Sequence, residues 1–159
     1  MTRKKASLLV DTNVWLDYFL GRKGAQSAAR FLGKTLENDD VLVTTTSITK
    51  DVFYLIGASL KRRTVADGEV NSERNAKAVN EIAWQCLSTI QGMAIVLNQG
   101  FEQHLEAMVL RDANSDYEDD LLVATAQSAD IDFIVTNDDR LLKSSPVATI
   151  TTEEYCASR

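Results

Sequence analysis

Histidine occurs once, as His104, and cysteine twice, as Cys86 and Cys156, in a chain of 159 residues. A single histidine excludes the HExxH zinc helix, a histidine-rich catalytic zinc site and a Ser-His-Asp triad. Two distant cysteines in no metal-like spacing exclude a disulfide framework and a zinc finger. Pro146 is the sole proline and glycine occurs only seven times. No Pro/Gly-rich linker, repeat or low-complexity tract divides the chain, so a single domain over residues 1–159 is expected. No apolar run approaches the roughly 20 residues of a membrane helix. The basic start, Met1 to Ser7, leads into an apolar stretch too short for a signal peptide before Asp11. A cytoplasmic protein without a membrane partner is the expectation. Basic side chains number 17 against 23 acidic ones, a formal charge of −6, which argues against broad non-specific nucleic-acid binding. It does not exclude action on phosphates, because divalent metals can neutralise clustered carboxylates. Any catalysis must rest on carboxylates.

Hydrophobic residues make up 45% of the chain, enough for a packed core. Ser7 to Asp11 reads as a short buried strand, and Val14 to Leu20 as a helix stopped by Gly21. Ala25 to Leu36 reads as an amphipathic helix with Ala28, Ala29, Phe31, Leu32 and Leu36 inward. Val41 to Thr45 is strand-like, and Ser47 to Leu60 is helical with Ile48, Val52, Leu55, Ile56 and Ser59 inward. Lys61 to Asn71 reads as a polar connection. Ser72 then caps a helix to about Ile90, with Ala76, Val79, Ala83, Leu87 and Ile90 inward. Strands are expected at Met93 to Leu97, Phe133 to Thr136 and Val147 to Ile150. Helices are expected from about Gly100 to Leu110, from Tyr117 to Ala129 and after Thr151, with a polar loop from Arg111 to Ser115. Strands alternate with helices and lack polar alternation. The pattern predicts an α/β fold: a three-layer α/β/α sandwich around a parallel sheet of about five strands.

Ligands of open α/β sheets bind beyond the carboxyl ends of the strands. Asp11-Thr12-Asn13 follows the first expected strand and Asp51 lies just into the helix after the second. Asn137-Asp138-Asp139 follows the fourth, and the helix leading into it starts Asp116-Tyr117-Glu118-Asp119-Asp120. Each acid taken alone also suits a cap, a turn or a helix dipole. Asp119 fits that reading least, because on a helical period it falls in line with Leu122, Val123 and Ala126. A carboxylate at the rim of a buried stripe needs a partner. Asp116 lies one turn earlier on about the same face, and no cation is fixed nearby in sequence. Converging aspartates without histidine suit a hard ion, Mg²⁺ or Mn²⁺, which serves phosphodiester hydrolysis without a protein nucleophile.

Leu8 to Leu16, containing Val10-Asp11-Thr12-Asn13, resembles the opening of PIN-domain nucleases, including the VapC-type toxins of bacterial toxin–antitoxin pairs. Asp119 to Ala126 resembles their third motif, an aspartate leading an alanine-rich helix. Phe133-Ile134-Val135-Thr136-Asn137-Asp138 resembles their fourth, and the motifs fall in order across nearly the whole chain. The resemblance implies that Asp11, Asp119 and Asp138 bind metal and take part in catalysis, with Asp116 as an auxiliary ligand. Asp51 stands at the catalytic position where glutamate is usual, one methylene shorter. Asn13, Thr136 and Asn137 are candidates to orient carboxylates or water. The implied activity is a magnesium- or manganese-dependent endoribonuclease, with Arg22, Lys23, Lys61, Arg62 and Arg63 as candidate RNA contacts. A separate antitoxin protein is an implied partner. A homodimer is another, and Trp15, Tyr18, Phe19, Phe53 and Tyr54 suit either an apolar patch for its surface or core packing.

Two other readings compete. Asp51 in place of glutamate suits a degenerate fold of the same kind serving as an RNA- or protein-binding scaffold. A phosphatase of the haloacid-dehalogenase type needs an aspartate where Asn13 stands. A receiver domain needs an aspartate after its third strand and a lysine after its fifth, where Asn98 and Thr151 stand.

Overall fold

The computed structural model describes residues 4–68, 72–114 and 116–158. Its elements run β1 (Ser7–Val10), α1 (Thr12–Leu20), α2 (Ala25–Glu37), β2 (Val41–Thr45), α3 (Thr46–Ala66), α4 (Glu73–Met93) and β3 (Ile95–Leu97). There follow α5 (Phe101–Asn114), α6 (Tyr117–Ser128), β4 (Phe133–Val135), α7 (Asp139–Ser144), β5 (Thr149–Ile150) and α8 (Thr152–Ser158). All strand pairs are parallel, in the order β3-β2-β1-β4-β5.

The central strand explains its own sequence. Leu8, Leu9 and Val10 are fully buried, because helices cover both faces of a parallel sheet and leave no side for polar alternation. Leu8 pairs with Leu42 on one side and Phe133 on the other, and Val10 pairs with Val135. Right-handed crossovers put α1 to α4 on one face and α5 and α6 on the other. The packing agrees: α1 lies against α2 and α3, α3 against α4, α5 against α6, and α8 against α2. This is the expected three-layer α/β/α arrangement. Trp15, Phe31 and Tyr155 are the bulkiest fully buried side chains, and Phe31 meets Tyr155 edge-on at 5.0 Å. No described helix is long and apolar enough to cross a membrane.

The chain leaves β1 and doubles back twice. Gly21 ends α1 in the left-handed region, φ 61°, where only glycine is free of a Cβ clash. A Cβ on Gly24 would meet the Asp17 side chain, with Cγ at 2.8 Å and Cβ at 3.3 Å, so a side chain there would require Asp17 to shift.

Several local expectations are corrected. Helix α3 continues through Lys61, Arg62 and Arg63 to Ala66, where a polar connection from Lys61 to Asn71 was expected. Residues 69–71 lie outside the described residues. Lysine and arginine are good helix formers, and α4 packing along α3 holds the added turns. Helix α5 likewise runs through Arg111 to Asn114 instead of ending in a polar loop, and Ser115 lies outside the described residues. Helix α7 was not anticipated. Asp138 caps it by accepting from the Arg140 N–H at 2.8 Å. Leu36, expected inward, is 64% exposed, and Ala29, Leu55 and Ala76 are exposed as well. Thr35 takes the inward position of its turn, its hydroxyl donating to the Phe31 carbonyl at 2.8 Å.

Candidate functional site

Strand order reverses around β1: β2 and β3 extend one way, β4 and β5 the other. At that switch point the carboxyl ends of β1 and β4 lie side by side, tied by the Asp11 N–H donating to Val135 O at 3.0 Å. A crevice opens at such a point in α/β sheets. Here it is a pocket of about 700 Å³ lined by Asp11, Asn13, Lys50, Asp51, Asp116 and Glu118. Asp119, Asp138 and Arg140 complete its polar wall.

The helix starts explain why acids collect there. Asp11, Asp116 and Asp138 are the N-caps of α1, α6 and α7. Exposed N–H groups and the positive end of the helix dipole favour a carboxylate at each. Asp11 Oδ1 accepts from the Thr12 N–H at 2.7 Å. Asp116 Oδ1 accepts from the N–H groups of Glu118 and Asp119 at 3.0 and 3.4 Å. The capping roles and the convergence coexist, because the caps of separate helices meet at one sheet edge.

Asp11 is held most firmly. Its Oδ2 accepts from the Thr136 hydroxyl at 2.8 Å and from Asn13 Nδ2 at 2.8 Å. Thr136, fully buried, also accepts from the Asp138 N–H at 3.0 Å. One hydroxyl therefore links the two acids. Asn13 Oδ1 accepts from the Asn137 N–H at 3.4 Å, and Asn137 turns its own Oδ1 toward Thr152. Burial pushes the Asp11 carboxyl above its ordinary value, while the bonds from Thr136, Thr12 and Asn13 oppose that rise and Asp138 adds repulsion.

Asp119 is pushed up to about 6, first by desolvation and then by the neighbouring charges of Asp116, Asp11 and Asp138, with Arg140 opposing. Four acids thus feel one another across the pocket. Asp51 also lines this pocket, with Lys50 Nζ 3.1 Å from its Oδ1. Asp120, beside Asp119 in sequence, is only 2% exposed and does not line the pocket.

One premise of the sequence reading is overturned. A cation does stand against Asp116 and Asp119: Arg140 Nη2 lies 3.3 Å from Asp116 Oδ2 and 3.5 Å from Asp119 Oδ2. Local sequence could not show it, because Arg140 arrives from a different helix after an intervening strand. Among the described residues, no three His, Cys, Asp or Glu side chains stand close enough together to hold a metal ion in these conformations.

The basic candidates are dispersed. Lys61 lines a groove between α3 and α4 with Phe53, Tyr54 and Lys77. Tyr54 is 75% exposed and also lines the acidic pocket, so the two hollows adjoin there. Arg62 is exposed. Arg63 donates through Nη2 to the Leu20 carbonyl at 2.9 Å, closing the end of α1. Arg22 and Lys23 line another hollow with Asn137 and Asp139. None of these five lines the acidic pocket. The sequence reading had not singled out Lys50 or Arg140. A basic residue directly before Asp51, and one two places after Asp138, were the available signals.

The sequence pattern of the PIN domain family matches residues 7–140. No curated protein matches the sequence. Among solved structures, the fold is similar to VapBC2 from Rickettsia felis bound to a DNA fragment from their promoter. That match has TM-score 0.64 and 13% identity, over 91% of this chain and 98% of that one. It is similar to a toxin–antitoxin complex from Klebsiella pneumoniae, with TM-score 0.60 and 18% identity over 91% and 97%. PAE2754 from Pyrobaculum aerophilum is similar with TM-score 0.59 and 16% identity over 96% and 88%. At these identities the likeness is one of fold.

Proposed function

The chain belongs to the PIN domain family, and from that premise we propose that it acts, as one domain, as a metal-dependent endoribonuclease. The observation that carries the reading is the convergence of Asp11, Asp116, Asp119 and Asp138 on one pocket at the strand switch point. Asp119 is held above its ordinary value first by burial and then by the charges of Asp116, Asp11 and Asp138, which Arg140 only partly offsets. An oxygen-only donor set of this charge suits Mg²⁺ or Mn²⁺.

Asp11, Asp119 and Asp138 would hold the ion, with Asp116 as an auxiliary ligand and side-chain rotation closing the set. When bound, such an ion polarises the scissile phosphodiester and lowers the pKa of water. Thr136 and Asn13 fix Asp11 Oδ2 and so set its orientation. Asn137 braces Asn13 from behind. Asp51, which lines the same pocket beside Lys50, would accept a proton or orient water. Lys61 and Tyr54 offer a phosphate contact and a stacking face for single-stranded RNA beside the pocket. Similarity to VapBC2 and to a toxin–antitoxin complex supports a separate antitoxin chain as partner and the toxin of such a pair as the role. The expected compartment is the cytoplasm.

The test is incubation of the protein with labelled single-stranded RNA in Mg²⁺, Mn²⁺ or EDTA, beside Asp11→Asn. Metal-dependent cleavage should fall by about two orders of magnitude or more in the variant. A second reading, a scaffold of the same fold without catalysis, is favoured by Asp51 in place of glutamate and by Arg140 lying against two of the acids. Intact RNA under every condition, together with no Mn²⁺ binding by calorimetry, would select it.

A further inference from the structure

Arg140 touches the acids in an unusual way. Its backbone is fixed, because its N–H donates to Asp138 Oδ1 at 2.8 Å at the start of α7. Its side chain is not. It is 65% exposed and reaches both Asp116 and Asp119 through the same Nη2 atom, at 3.3 and 3.5 Å. A guanidinium built to lock a carboxylate uses two nitrogens at roughly 2.7–2.9 Å. One nitrogen shared between two acids at longer range supplies charge without a fixed geometry. Exposed pairs of this kind contribute little and exchange readily with solvent ions.

The same two carboxylates belong to the set assigned above to the metal, and a divalent ion held by them would face the guanidinium charge at close range. The two cations would then compete for the same carboxylate charge. We infer that Arg140 is a displaceable internal counter-ion, which steadies Asp116 and Asp119 in the metal-free protein and which a divalent cation must push aside in order to bind. This rests on the metal reading of the site. It predicts competition: the arginine stabilises the fold without metal and weakens the apparent metal affinity.

The experiment is calorimetric titration of Mn²⁺ into the full chain, as wild type, Arg140→Gln and Arg140→Lys, with melting of each protein in EDTA. Arg140→Gln should bind Mn²⁺ roughly three- to tenfold more tightly, from two exposed charge contacts removed. It should also melt at a lower temperature in EDTA and gain more from added Mn²⁺. Arg140→Lys, which keeps the charge, should stay nearer the wild type. Equal or weaker Mn²⁺ binding by Arg140→Gln, with the wild type binding, would overturn the counter-ion role and leave the metal reading intact. If no form binds Mn²⁺, the metal reading fails and the competition fails with it.

Discussion

Replacing Asp119 with asparagine should make the metal-free protein more stable. The carboxyl rises from its ordinary 3.8 to about 6 on folding, so the folded state resists its ionisation. At about 1.36 kcal/mol per pKa unit the rise corresponds to a cost of about 3 kcal/mol once the group is fully ionised. The side chain is still 21% exposed, and solvent screening reduces this to about 1–2 kcal/mol. The direction with pH follows from the same values. Below about pH 4 the group is protonated in both states and costs nothing. Between about 4 and 6 the unfolded chain ionises first, and the native state loses stability as pH rises. Above about 6 the whole cost is present. Asp119→Asn, nearly isosteric, removes it. Urea unfolding in EDTA should therefore show a gain of about 1–2 kcal/mol at neutral pH, fading to none near pH 4. The midpoint of thermal unfolding should rise by about 2–8 °C for a chain of this size. The gain should reverse in excess Mn²⁺, which stabilises only a form that binds it. Destabilisation at neutral pH, or a gain that does not change between pH 4 and 7, would refute the argument from burial and like charge.

Asp51→Glu lengthens the side chain toward the pocket and should raise kcat/KM for RNA roughly tenfold if reach limits that position. Unchanged or lower activity would show that aspartate is the fitted length. Lys61→Ala should weaken single-stranded RNA binding in EDTA and lower the slope of log affinity against log salt by about 0.7, read by fluorescence anisotropy. Arg63→Ala should instead leave that slope alone and cost about 1–2 kcal/mol of stability in urea, because its guanidinium satisfies the Leu20 carbonyl. Tyr155→Phe should cost about 1–3 kcal/mol in the same assay, since the buried Tyr155 hydroxyl donates to Asp40 Oδ2 at 2.6 Å and accepts from Asn38.

Much of the fold is local in origin and so legible in the chain. The runs Leu8-Leu9-Val10 and Ile134-Val135 are apolar on both faces because each strand lies between helix layers. That property can be read without knowing the neighbours. Helix ends were less legible. Lys61 to Arg63 carry the composition of a solvated loop, yet continue α3 because α4 packs alongside it. Asp138 and Asp139 carry the composition of a turn, yet begin α7. Inward faces were less legible too: Leu36 and Leu55 keep the helical period but are exposed, Leu55 at the rim of the acidic pocket.

The acids of the site follow the same division. Strand ends and helix starts are sequence features, and a parallel sheet gathers strand ends at one edge. Asp11, Asp119 and Asp138 were therefore recognisable as neighbours from motif order alone, with Asp116 one helical turn away. What stands against them depends on how separate elements pack. The guanidinium of Arg140 reaches Asp116 only because α7 returns from β4 beside the start of α6. Arg63 closes α1 because α3 crosses it, and Lys61 faces a groove that exists only once α3 and α4 are docked. Charge type and backbone period are carried by each residue. The partner of a long, flexible, charged side chain is a property of the assembled surface, and tertiary structure alone decided it.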